Sequence, residues 1–187
     1  MSQTFTTEKE RLLNIILERS FQLGDFTLSS GKKSDYYIDC RTTTLHPEGA
    51  YLCGRLLFEL ARPYSPDAVG GLTLGADPVV AAVIAESFRQ GAPMRGFIVR
   101  KQEKSHGRGR RIEGCLAEGD SALIVEDVIT TGGSALKAVD AARDAGAKVS
   151  AVLAIVDREE GGSEAITAEV QAVESLFTAS ELKRHAK

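Results

Sequence analysis

The chain has 187 residues, enough for one domain or one domain with a small appendage, and enough to bury roughly 70% of its unfolded surface without disulfide or metal staples. Hydrophobic residues at 43% and charged residues at 26% exclude a disordered chain. The 26 acidic and 23 basic side chains leave a net charge of -3, which excludes a general electrostatic pull toward nucleic acid or an acidic membrane.

Three cysteines, Cys40, Cys53 and Cys115, lack the close spacing of a zinc site or a disulfide framework. Free thiols fit a reducing cytoplasm. The first ten residues lack the apolar core of a signal peptide, and no apolar run approaches the roughly 18 residues that span a bilayer. A soluble cytoplasmic protein is the expectation. With 18 glycines, 5 prolines and no tryptophan, the composition suits an α/β enzyme with tight loops.

In chain order, Thr7-Glu8-Lys9-Glu10 has a capping-box pattern, and Leu12, Leu13, Ile16 and Leu17 follow at helical spacing. This predicts an opening helix that ends near Gly24. Phe26 and Leu28, the turn residues 29–34, then Tyr36, Tyr37 and Ile38 read as strand, turn and strand. Pro47 opens a second helix through Leu60. Residues 68–72 form a short apolar run. Asp77-Pro78 reads as the N-cap and first turn of a helix over 79–89, stopped by Gly91. Residues 96–99 and 122–125 read as strands, 134–145 as a helix closed by Gly146, and 149–156 as a further strand. His185 falls in what reads as a polar tail. Cys40, Cys53 and Cys115 read as packing residues, and His46 as a turn residue.

Short, almost continuously apolar strands alternating with helices predict a parallel sheet covered on both faces. Ligands of such sheets bind beyond the carboxyl ends of the strands. The informative residues should therefore follow Leu72, Val99, Val125 and Val156.

After Val125 comes Glu126-Asp127-Val128-Ile129-Thr130-Thr131-Gly132-Gly133-Ser134. Glycines let backbone approach a ligand, and a helix N-terminus offers unpaired N–H groups to a phosphate. Threonine and serine hydroxyls add donors. Two adjacent carboxylates repel phosphate but accept hydrogen bonds from a sugar diol. The set suits a sugar phosphate; it also suits an ordinary βα turn. It is neither a Walker A loop nor a Gly-x-Gly-x-x-Gly fingerprint. Residues 100–111, from Arg100 to Arg111, hold six Lys or Arg side chains and one acid. Such a segment can close over a multiply charged anion, or be a solvated charge run. No aromatic is interleaved, as single-stranded nucleic acid binding would ask.

The run from Leu123 to Ser134 resembles the phosphoribosyl-diphosphate signature of type I phosphoribosyltransferases. Arg100-Lys101-x-x-Lys104-x-His106-Gly107 resembles the catalytic loop of the orotate branch, and the segment 26–39 resembles its hood over the base. The segment Gly70–Pro78 and the pair Asp157-Arg158 occupy matching places, so five segments agree in order. The resemblance implies a type I phosphoribosyltransferase fold with a central, mainly parallel twisted sheet flanked by helices. The chain would be a single domain, with a helix and hood over about 1–45, an α/β core over about 46–187 and a flexible loop over 100–113.

The implied reaction joins orotate to 5-phospho-α-D-ribose 1-diphosphate (PRPP), a step of pyrimidine (UMP) synthesis. The implied diphosphate contacts are Arg100, Lys101, Lys104 and His106, with Lys104 the main leaving-group stabiliser. Glu126 and Asp127 would hold the ribose diol, Asp127 also stabilising charge at the anomeric carbon. Val128, Ile129, Thr130, Thr131, Gly132, Gly133 and Ser134 would complete the PRPP site. Thr130, Arg158, Tyr36 and Tyr37 would meet orotate. Mg²⁺ would sit mainly on PRPP and water, without a protein cage. A homodimer would share the loop across subunits. This chain has Ser29 where many members have lysine, and Leu74-Gly75 where some have Tyr-Lys. Diphosphate contacts there would then come largely from backbone N–H groups. A purine phosphoribosyltransferase, or a non-catalytic nucleotide sensor on the same fold, is the alternative.

Overall fold

The structure, a computed structural model, describes residues 3–27, 31–102 and 111–186. The first helix, α1, spans Gln3–Arg19, so it begins before the capping-box pattern and stops short of Gly24. Thr7 lies inside it and donates its hydroxyl to the Gln3 carbonyl (3.2 Å). The segment expected to finish the helix is instead strand β1, Phe21–Thr27, because it pairs antiparallel with β2, Lys33–Ile38. This two-stranded hairpin forms a sheet of its own.

A short helix α2, Arg41–Thr44, and then α3, Pro47–Ala61, follow. Pro47 opens α3 as expected, and His46 is its N-cap, Nδ1 accepting from the Gly49 N–H (3.4 Å). Strand β3 is Ala68–Leu72, and α4 is Ala76–Arg89. Asp77 is not the N-cap of α4; Gly75 is. Asp77 lies in the first turn, where it accepts from the Thr73 hydroxyl (2.8 Å) and favours the positive end of the helix dipole.

Strands β4, Arg95–Val99, and β5, Ile112–Gly114, are antiparallel neighbours, so residues 112 and 113 of the expected loop are sheet. Strand β6 runs Ser121–Ile129 and does not end at Val125. Its partner β7, Lys148–Asp157, keeps pairing with it as far as Ile129 opposite Asp157. Glu126, Asp127, Val128 and Ile129 are therefore strand residues, not loop residues. Helix α5 is Gly133–Asp144, and α6 is Gly162–Thr167. Strand β8, Ala172–Thr178, and helix α7, Ala179–His185, end the order; His185 is helical, not in a tail.

The main sheet has the order β5-β4-β3-β6-β7-β8, parallel except for β5. Side chains alternate across it. Leu123, Val125, Leu153 and Ile155 pack with α1, α3, α4 and α7 on one face. Ala122, Ile124, Val152 and Ala154 pack with α5 and α6 on the other. Burial on both faces explains why these strands read as unbroken apolar runs. Cys40 and Cys53 are buried as expected, but Cys115 is exposed, one residue beyond edge strand β5.

Candidate active site

Strand order reverses between β3 and β6: β4 follows β3 outward on one side, and β7 and β8 follow β6 on the other. Such a switch point leaves a crevice beyond the carboxyl ends of the two central strands. Here a cleft of about 300 Å³ opens, reached by Tyr37, Arg41, Gly75, Lys101, Asp127 and Arg158. Four of the five segments that the sequence singled out thus meet through side chains far apart in the chain, with Arg100 and Lys101 marking the root of the fifth.

Glu126 and Asp127 are consecutive on β6 and so point to opposite faces. Glu126 is buried, and its Oε1 has no hydrogen-bond partner within the chain. Desolvation, and secondarily the Asp127 charge, push its carboxyl up to about 8. Asp127 is also raised by burial, against which the Val128 N–H (2.9 Å) works. The unpartnered Glu126 Oε1, and an Asp127 carboxyl held by backbone N–H alone, leave acceptors in the cleft for hydroxyl groups.

Immediately beyond, Gly132 adopts φ +80° and caps α5 without a side-chain hydrogen bond. A residue with a Cβ is strained there. The turn and the first residues of α5, Thr130 to Ala135, surround a recess of about 50 Å³ with Glu126 on its wall. Helix N–H groups facing such a recess suit one phosphate. Gly162 backs the turn: a Cβ on it would lie 2.4 Å from the Thr130 carbonyl oxygen. Nothing in the sequence but the glycine itself signals this support.

The β3–α4 turn forms another wall. Thr73 N–H donates to the Val99 carbonyl (2.9 Å), and Asp77 Oδ1 is buried without a partner. The Thr73–Leu74 peptide bond is cis.

Of the basic loop, Lys101 reaches the cleft, whereas Arg100 pairs with Glu113 (3.3 Å) and donates its N–H to the Arg111 carbonyl (2.8 Å). Lys104 and His106 lie outside the described residues. Arg41 was not anticipated as a site residue. It lines the cleft and grips Asp39 with Nε and Nη2, both at 2.8 Å. That grip holds the Asp39 carboxyl below its ordinary value. The Asp39-x-Arg41 spacing just after β2 was the available signal.

At the far end, Arg158 follows β7, its N–H donating to the Ile129 carbonyl (2.9 Å). Its side chain is only 8% exposed. Nε donates to the Tyr36 hydroxyl (3.0 Å), and the guanidinium lies 4.7 Å from the centre of the Tyr36 ring. Tyr36 is buried and stacks on Phe21, whereas Tyr37 is 42% exposed and lines the cleft. Alternation along β2 separates the two rings.

A recess at a helix N-terminus, a carboxylate pair and the cations Arg41, Lys101 and Arg158 gathered at one switch point define an enzyme class that handles a phosphorylated sugar, the type I phosphoribosyltransferases. Similar proteins narrow it. No protein-family model matches the chain. The orotate phosphoribosyltransferase of Aquifex aeolicus is 49% identical over 178 residues, covering 94% of this chain and 97% of that one. The Mycobacterium tuberculosis orotate phosphoribosyltransferase in complex with Fe(III) dicitrate superposes with a TM-score of 0.83 at 43% identity, covering 94% of this chain and 98% of that one. The same enzyme in complex with PRPP gives 0.80 at 39% identity, covering 94% and 99%. The chain belongs to the orotate phosphoribosyltransferase family. The membership fits the orotate reading and neither the purine nor the sensor alternative. Among the described residues no helix is long and apolar enough to cross a membrane.

Proposed function

We propose that this chain transfers the 5-phosphoribosyl group of PRPP to N1 of orotate, giving orotidine 5'-monophosphate and diphosphate in pyrimidine (UMP) synthesis. The observation that carries the reading is one cleft joining Lys101, the Glu126-Asp127 pair and Arg158 beside the phosphate recess. Backbone and hydroxyls from Thr130 to Ser134, set by Val128 and Ile129, would take the 5'-phosphate. Glu126 and Asp127 would accept the ribose hydroxyls, placing the anomeric carbon between base and diphosphate.

Displacement at that carbon passes through an oxocarbenium-like state. The N1–C1 bond forms as the C1–O bond to diphosphate breaks, and the N1 proton passes to the departing diphosphate or to water, so the protein's task is chiefly positioning and charge stabilisation. Asp127 would offset positive charge at the anomeric carbon. Arg100, Lys101, Lys104 and His106 would stabilise the departing diphosphate, with Lys104 foremost. Arg158, Thr130 and Tyr37 would hold the base, with Tyr36 behind Arg158.

Mg²⁺ fits this donor set. A hard cation takes oxygen ligands and keeps several waters. The orphaned Glu126 Oε1 and the Asp127 carboxylate can hold ribose hydroxyls that also face the cation. When bound, the cation would neutralise diphosphate charge. We further propose a cytoplasmic homodimer in which loop 100–113 of one subunit closes over its partner's site. Three free cysteines support a reducing compartment.

The test is orotate consumption, followed by ultraviolet absorbance, with PRPP and with or without Mg²⁺. Turnover requiring all three is the expected result. No turnover with orotate despite PRPP binding would overturn the base assignment. Lys104→Ala should lose most turnover with the fold intact. Mixing Lys104→Ala with Arg158→Ala subunits should restore some activity; no recovery despite proven subunit exchange would refute the shared site.

A further inference from the structure

Arg158 is held from one side only. Its Nε edge faces two acceptors, the Tyr36 hydroxyl and Glu160 Oε1, each at 3.0 Å. Its Nη2 is buried and has no hydrogen-bond partner in the chain. A buried guanidinium nitrogen without an acceptor is costly, and the cost is recovered when a ligand supplies one. Glu160 is itself tied into the hairpin: its Oε2 lies 3.3 Å from Lys32 Nζ. Tyr36 is likewise fixed, by stacking on Phe21 at 5.4 Å and by Lys183 Nζ 4.4 Å from its ring centre.

We propose that Glu160 and Tyr36 are positioning residues for the base. Together they hold the Nε edge of Arg158, so that its Nη groups form a preset fork for the planar acceptor edge of the pyrimidine. Neither residue need touch the base. A free arginine side chain has about 2 kcal/mol of rotamer entropy to lose on binding. Glu160 and Tyr36 remove that loss before the ligand arrives, which is the general gain from preorganisation. The Glu160–Lys32 pair also couples the fork to the hairpin, so hood and fork are set together.

This inference rests on the orotate reading, and the experiment separates the two. Wild type, Glu160→Ala, Glu160→Gln, Tyr36→Phe, Arg158→Ala and the Glu160→Ala/Arg158→Ala pair are assayed as full chains for kcat and for KM of both substrates, with PRPP binding measured by calorimetry. Losing a hydrogen bond to a charged group predicts a rise of about tenfold in orotate KM for Glu160→Ala, with PRPP affinity unchanged. Glu160→Gln, which keeps an acceptor and is less prone to misfold, should recover part of it. Tyr36→Phe keeps the stacked ring and should show a smaller rise of the same kind. In the Arg158→Ala background, Glu160→Ala should add less than about twofold, because a residue acting through another is non-additive with it.

An equal rise in both backgrounds, an equal loss of PRPP affinity, or an unchanged orotate KM in both Glu160 variants would overturn the positioning role. Wild-type failure to turn over orotate would retire the base assignment, and this inference with it.

Discussion

A β-carbon placed on Gly75 would lie 2.5 Å from Oδ1 of Asp127. The cap of α4 and the carboxylate at the centre of the cleft are thus in contact across β3 and β6. Asp127 is also held by the Val128 N–H, so it cannot simply swing away. Gly75→Ala should displace it, lowering kcat by about tenfold or more through misplacement at the reacting centre. Thermal unfolding should shift much less, and parallel kinetics and melting curves check this.

Glu126 predicts a pH dependence of stability. The folded chain keeps its proton up to about 8, whereas the unfolded carboxyl releases it near 4.5. Between these values the folded state binds the extra proton, so this group's contribution falls as pH rises through the window. Glu126→Gln should flatten that slope and stabilise the ligand-free protein at pH 8 by on the order of 1–3 kcal/mol. Melting curves from pH 5 to 8.5 read both effects. The same ionisation should limit kcat/KM for PRPP below about pH 8, since that ratio reports the free enzyme. The limb should be missing in Glu126→Gln.

Arg41 screens Asp127 from Asp39: the Asp39 charge raises the Asp127 pKa and Arg41 lowers it. Arg41→Ala should therefore raise it further and weaken PRPP binding by about threefold to tenfold, an effect that shrinks with added salt because Arg41 is exposed. Binding titrations at two ionic strengths decide.

Cys115 is exposed while Cys40 and Cys53 are buried. Burial raises the Cys40 thiol well above its ordinary value and pushes Cys53 up to about 12. A thiol reagent should label one site quickly in the native protein and all three after denaturation. Cys115→Ser should abolish the fast phase.

The sheet was legible because strands buried on both faces have little polar sequence to confuse them. It became illegible where function intrudes. Glu126 and Asp127 look like the end of a strand, yet β6 continues beneath them because β7 goes on pairing. Strand β8 carries Glu174 and Ser175 along a partly buried edge, and β5 has only three residues, so neither has an apolar run to betray it. Among site residues, those on glycine-rich or basic turns were visible as local composition. The grip of Glu160 and Tyr36 on Arg158 was not, since Tyr36 and Arg158 are 122 positions apart. Arg41 was hidden for another reason: its one signal, the Asp39-x-Arg41 spacing after a strand, is too short to stand out.

Helix α7 returns to the hairpin, with Lys183 Nζ 2.7 Å from Asp35 and over the Tyr36 ring. During synthesis the lining of the phosphate recess is made by position 135 and its backing glycine by position 162, but this anchor of the hairpin must wait for position 183. The donor's pocket is thus complete in sequence about twenty residues before the hairpin over the acceptor can be pinned down, so the last residues of the chain govern the acceptor's side of the cleft.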